Sequence, residues 1–262
     1  MCGVIGIQME GVDDRDIELV RQVFLKSMIR GKHATGVTYF NGENLVTIKE
    51  PIPADEFIAK HDPAEWVYTH DMADVPCLAL IGHIRYSTSD LRYNQPFQGI
   101  VVDEHFGAMP TAIAHNGVLS QESTSTWEYD TQTANDSEMI LRCLESGEHP
   151  LEKFADRSMA VTSIQVLNRA ETNRPFAMVH GFRNHERPLW RMNHKGLIFA
   201  STKDILIRSN VVFDPEACSP FDDACVRDLL RCEPFIVYGW GSVSRRWHPM
   251  HLGTELPEDL QP

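Results

Sequence analysis

Cys2 is the residue whose type and place could do chemistry with least help from elsewhere. Removal of Met1 leaves one residue carrying both a thiol and a free α-amine, and an amine with an ordinary pKa of about 7.7–8 can act as the base that activates the nucleophile. The small cysteine side chain is compatible with that removal. On its own a cysteine at position 2 is a coincidence in most chains, so the other segments have to carry the case. Arg85 offers a planar fork able to hold a carboxylate through two hydrogen bonds, where a lysine offers a point charge. Asp136 is an anion suited to an ammonium group. The bland alternatives are a surface ion pair for Arg85 and, for Asn116-Gly117, the hairpin turn that dipeptide most often marks.

The segments that hold these residues come in a particular order: Cys2-Gly3-Val4-Ile5-Gly6, then Arg30-Gly31 with Ala34-Thr35-Gly36, then Gly82-His83-Ile84-Arg85-Tyr86-Ser87-Thr88, then Ala114-His115-Asn116-Gly117-Val118-Leu119, then Asn135-Asp136-Ser137-Glu138. In that order and spacing they closely resemble the glutaminase domain of the class II glutamine amidotransferases, which are N-terminal-nucleophile enzymes. The resemblance runs through residues 2–140 and continues more weakly through Arg187-Pro188-Leu189 and Phe199-Ala200-Ser201 to a strand at 235–238. It implies hydrolysis of the side-chain amide of L-glutamine by Cys2 through a γ-glutamyl thioester, with no cofactor and no metal. It further implies that Arg85 binds the glutamine carboxylate, that Tyr86, Thr88 and the neighbouring loop assist, and that Asp136 with Gly117 meets the amino end. The Asn116 side-chain amide and the Gly117 backbone N–H are the implied oxyanion hole. His115 is expected to pack or hydrogen-bond locally and not to act as a base, and Arg30 to brace the nucleophile strand. Two neighbouring readings stay open: a hydrolase of another γ-glutamyl amide, and a catalytically silent glutamine-binding regulatory subunit. The second needs a lost catalytic residue, and the full set from Cys2 to Asp136 argues against it.

Within the resemblance, the loop Tyr93-Asn94-Gln95-Pro96-Phe97 looks like the amidophosphoribosyltransferase version. Asn135 replaces the threonine common before the aspartate, a change that keeps capping ability.

The elements that must position these groups follow from periodicity. Val4–Ile7 and Cys77–Tyr86 are apolar runs of buried strands, and Ile17, Val20, Phe24 and Met28 repeat as a helix face that ends before Gly31. Residues 36–40, the Asn41-Gly42 turn and residues 44–49 predict a hairpin, with Gly36 turning the chain. Residues 50–76 are mixed helix, and strands are expected at 100–102 and 111–114. Asp136–Glu145 has the pattern of a helix capped by Asn135 or Asp136. Strands are expected at 159–168, 176–182, 188–192, 197–201 and 235–238, with helices near 203–208 and 222–231. The resemblance implies an α+β fold, a four-layer αββα sandwich of two antiparallel sheets packed face to face.

Composition bounds the function. The 262 residues carry 24 Lys and Arg against 37 Asp and Glu, a formal charge of −13, which argues against a nucleic-acid-binding module. No run approaches the roughly 18 apolar residues of a membrane span, and no signal-peptide pattern opens the chain, so a cytoplasmic location with reduced cysteines is expected. Cys218, Cys225 and Cys232 recur every seven residues without a C-x-x-C pair, and His248 and His251 flank Pro249 as in a surface turn; neither pattern has zinc-ligand spacing. No internal repeat or linker divides the chain, so a single glutaminase domain over 2–262 is expected. That leaves no synthase domain and no phosphate loop, and points to a separate ammonia-accepting synthase as partner.

Overall fold

The computed structural model describes residues 2–70, 74–87, 93–103, 106–168, 175–213, 230–232, 237–240 and 247–250. The chain begins with β1 (Gly3–Glu10), α1 (Asp14–Ser27), the hairpin β2 (Ala34–Phe40) and β3 (Leu45–Glu50), α2 (Ala54–Lys60) and β4 (Tyr68–His70). It continues with β5 (Val75–Arg85), β6 (Phe97–Asp103), β7 (Gly107–Val118), α3 (Glu138–Glu145), α4 (Pro150–Lys153), β8 (Ser158–Asn168) and β9 (Pro175–Arg183). Then come β10 (Trp190–Asn193), β11 (Gly196–Ala200), α5 (Lys203–Phe213), β12 (Leu230–Arg231), β13 (Val237–Trp240) and β14 (Trp247–Met250).

The strands form two antiparallel sheets. Among the described residues one is eight-stranded, ordered β12-β10-β11-β1-β5-β2-β3 with β4 also on β5; the other is six-stranded, ordered β14-β13-β9-β8-β7-β6. Side chains alternate across each strand, so every inner strand serves two apolar layers. Val4, Ala79, Ile81 and Phe199 of the first sheet meet Ala112, Ala114, Ala160 and Val179 of the second in the layer between them. The opposite face of the first sheet, with Ile5, Ile7, Leu80 and Ile198, is covered by Leu19, Val23 and Phe24 of α1 and by Ile205 and Leu206 of α5. The opposite face of the second, with Ile113, Val161 and Phe182, is covered by Met139, Ile140 and Cys143 of α3 and Leu151 of α4. The order is helix, sheet, sheet, helix, as the resemblance implies. It also explains why β1 and β5 read as unbroken apolar runs: both of their faces are buried.

The predicted hairpin is present, with a loop over 41–44 in which the Asn41 side chain accepts from the N–H groups of Glu43 and Asn44 and Gly42 takes φ +99°. Several local expectations give way. Gly31 does not cap α1, whose C-cap is Met28, and Gly36 turns nothing, since it lies inside β2 opposite Lys49. Both are places of close backbone approach: a Cβ on Gly31 would lie 2.3 Å from the Arg85 carbonyl carbon, and one on Gly36 2.0 Å from the Gln95 oxygen. His248 and Pro249 sit on β14, paired with β13, and not in a turn. The helix expected near 222–231 falls at 222–229 outside the described residues, while Leu230 and Arg231 pair with β10 as β12. Cys218, Cys225 and His251 also lie outside them, as do 235–236 of the strand expected at 235–238.

Candidate active site

Cys2 directly precedes β1, a central strand of the first sheet, and its backbone is held from three sides. Arg30 Nε donates to the Cys2 carbonyl at 3.2 Å, so the bracing expected of Arg30 is present. The Val4 N–H donates to the Ser201 hydroxyl at 2.8 Å, and the Thr162 hydroxyl donates to the Ile5 carbonyl at 3.0 Å, tying β1 to both sheets. The Cys2 thiol stands 3.8 Å from the carbonyl oxygen of Tyr86. It opens onto a cleft of about 450 Å³ at one end of the sandwich.

Arg85, Tyr86, Gly117 and Asp136 line the same cleft, so four of the predicted residues converge on the Cys2 thiol. Arg85 ends β5, is buried, and brings its guanidinium to the wall. Tyr86 is half-exposed at the lip, where its ring packs against that of His33 at 5.0 Å and the next N–H, of Ser87, donates to His33 Nδ1. Thr88 lies outside the described residues. Asp136 sits in the turn before α3, where one carboxylate oxygen accepts from the N–H groups of Leu119 at 2.6 Å and Ser120 at 3.1 Å. Asn135 accepts from the Ser137 N–H in the turn before α3, but the N-cap is Ser137, with no side-chain capping bond, and not the expected Asn135 or Asp136.

Asn116 and Gly117 do not form a hairpin turn. They lie within β7, paired with Ala160 and Met159 of β8. Gly117 is required by crowding: a Cβ there would lie 1.8 Å from the Ser158 carbonyl oxygen. Asn116 adjoins the cleft without lining it, because strand alternation turns it toward the inter-sheet layer of Ala112 and Ala114. Its amide nitrogen is buried and has no hydrogen-bond partner in the structure.

The cleft's electrostatics are set by burial. His83 is pushed down to about 3 by burial and by the Arg85 guanidinium beside it, so it is neutral. Burial also lowers His115, against an opposing pull from Asp136. Neither imidazole competes with Arg85 as the cation. Sequence reasoning gave no role to His83, Gln95 or Ser137, which also line the cleft. All three stand inside the quoted segments, but only tertiary folding brings them to one wall. Among the described residues no group of three or more His, Cys, Asp or Glu could hold a metal.

Two antiparallel sheets face to face, with helices on both outer sides, make the N-terminal-nucleophile hydrolase fold. Within it the chain matches a glutamine phosphoribosylpyrophosphate amidotransferase from B. subtilis solved with ADP and GMP, with a TM-score of 0.58 and 17% identity over 97% of this chain and 50% of that one. A second solved structure, an allosteric regulatory enzyme of purine biosynthesis, matches with a TM-score of 0.57 and 17% identity over the same shares. The chain thus spans about half the length of each. No protein-family model and no curated protein matches it. Among the described residues, no helix is long and apolar enough to cross a membrane.

Proposed function

We propose that the chain is a glutamine amidotransferase whose glutaminase site is the cleft at Cys2, with residues 2–262 forming one glutaminase domain. The observation that carries this is the convergence of a thiol opening a central strand, a buried arginine and an aspartate on one cleft of a size that suits an amino acid. Arg85 takes the glutamine α-carboxylate through its fork, Asp136 takes the α-ammonium, and the neutral side-chain amide is left to reach Cys2. Tyr86 borders the carboxylate end, and the family resemblance assigns Thr88 to assist in binding it.

In the reaction, the Cys2 α-amine, freed by removal of Met1, takes the thiol proton as sulfur attacks the amide carbon. The resulting oxyanion is met by Asn116 Nδ2 and the Gly117 N–H. Collapse breaks the C–N bond, the protonated amine returns its proton to the leaving nitrogen, and ammonia departs from a γ-glutamyl thioester. Water, deprotonated by the same amine, attacks the thioester and releases glutamate and the thiol. The ammonia passes to an acceptor synthase, and a reducing cytoplasm keeps the thiol available.

Glutamate release from L-glutamine is the test, with intact mass to establish that the purified protein lacks Met1. Cys2→Ala is expected to reduce release to background. Activity retained in that variant, or none in wild-type protein shown to lack Met1, overturns the reading.

A further inference from the structure

Behind Asp136 and Gly117 lies a buried chain of hydrogen bonds with no part in the chemistry just described. The His115 N–H donates to Gln95 Oε1 at 2.6 Å, Gln95 Nε2 donates to the Ser137 hydroxyl at 2.9 Å, and that hydroxyl is 2.8 Å from His115 Nδ1. His115 Nε2 is in turn 3.3 Å from the Ser158 carbonyl oxygen. Gln95, Ser137 and His115 are each at most 3% exposed.

Both ends of the chain are backbone groups with no choice of role. The His115 N–H can only donate, so the facing Gln95 atom is its oxygen and the amide nitrogen turns to Ser137. The Ser158 carbonyl can only accept, so His115 Nε2 carries the imidazole hydrogen and Nδ1 is bare. The Ser137 hydroxyl therefore accepts from Gln95 and gives its single hydrogen to His115. Each hydrogen shared along the chain is assigned, and reversal at one link would face two donors or two acceptors with each other.

We infer that Gln95, Ser137 and His115 form a one-way hydrogen-bond relay that positions the site, locking the turn that carries Asp136 to the strand that carries Gly117. This rests on the glutaminase reading. Three pieces of chain meet in the relay: the loop after β5 through Gln95, the turn before α3 through Ser137, and β7 through His115. Ser137 adjoins Asp136, and the Gly117 Cβ position is 2.4 Å from His115 Nε2, so Gly117 rests directly on the imidazole. A second tie, from Asn135 Nδ2 to the Tyr93 carbonyl at 2.9 Å, runs alongside. The distance between the group that holds the ammonium and the group that meets the oxyanion is thus set by side chains that take no part of their own in the reaction. A shift of about 1 Å in such a distance can cost about a hundredfold in rate.

Three variants and one spectrum test this. Ser137→Ala removes the central link and is expected to lower kcat/KM by about ten- to a hundredfold, shared between a higher KM for glutamine and a lower kcat. Ser137→Thr, which restores the hydroxyl, recovers most of the loss, and this rescue separates positioning from a general loss of packing. Gln95→Glu replaces the obligate donor with an acceptor, reverses the Ser137 hydroxyl and lowers kcat/KM as Ser137→Ala does. Long-range ¹H–¹⁵N spectra of histidine-labelled wild-type protein, assigned with His115→Asn, should show His115 neutral with its hydrogen on Nε2. A hydrogen on Nδ1, or Ser137→Ala and Gln95→Glu both within twofold of wild type, overturns the relay. Wild-type protein without Met1 that releases no glutamate overturns the functional reading instead, and the imidazole spectrum still decides the relay.

Discussion

Asn116 keeps a buried amide donor without an acceptor, a state that ordinarily costs about 1–3 kcal/mol. On the glutaminase reading, the oxyanion formed beside Cys2 is the acceptor that this donor meets. Because Nδ2 has no hydrogen-bond partner within the protein, Asn116→Ala should leave the thermal midpoint unchanged or raise it, while kcat for glutamate release falls by about 10²–10³-fold. Unchanged kcat in a folded variant would remove Asn116 from the oxyanion site. The sequence made the identity of this residue legible but not its surroundings. Asn-Gly is a local turn signal, and the local signal fails here because the demand on Gly117 is non-local, coming from a carbonyl 41 positions further along the chain, that of Ser158.

At the scale of elements, α1 has to stay seated on the first sheet if Arg30, just beyond its end, is to hold the Cys2 carbonyl. Its start is fixed by a capping box: the Asp13 carboxylate accepts from the N–H groups of Arg15 and Asp16, and Asp16 accepts from the Asp13 N–H. Lys195, in the β10–β11 turn at φ +46°, donates to both carboxylates at 2.8 Å and so ties the cap to the sheet. The Lys195 ammonium, with the Asp16 N–H, holds the Asp13 carboxyl at about 2, below its ordinary 3.8. A depressed carboxyl stabilises the fold above its unfolded pKa and loses that contribution as pH falls through the folded one. Between pH 4 and 2 the thermal midpoint of the wild type should therefore fall more steeply than that of Asp13→Asn, which keeps the cap acceptor but cannot titrate. Parallel curves would show that Asp13 carries no such linkage. Periodicity made α1 and the two-sided strands legible, since burial writes itself into local pattern. Gly31 and Gly36 were not, because the carbonyl groups they admit come from the end of β5 at Arg85 and from the Gln95 loop and leave no trace in neighbouring residues.

For the whole molecule the deciding groups are buried histidines on inner strands of both sheets. His83 on β5 is held at about 3, His180 on β9 at about 4, and His115 on β7 is lowered as well, in each case chiefly by burial. Unfolded, each takes up a proton near pH 6.5. Below that pH the unfolded chain binds more protons than the folded one, so stability falls as pH falls, by about 1.4 kcal/mol per pH unit for each histidine still neutral in the fold. The charge of −13 acts in the opposite direction, since acidification relieves repulsion among surface carboxylates. That repulsion is screened by salt, whereas the cost of charging a buried ring is not. At high ionic strength the histidines win, and the unfolding free energy from urea titrations should drop from pH 6 to pH 5 by roughly 2.4 kcal/mol for His83 and His180 together, well above the range where Asp13 acts. His180 lies on β9, away from the Cys2 cleft, and its Nε2 has no hydrogen-bond partner. His180→Gln should accordingly reduce that drop by about 1.2 kcal/mol, half of it. A flat profile between pH 6 and 5, or an unaltered slope in the variant, would mean that these rings gain their protons without unfolding the protein.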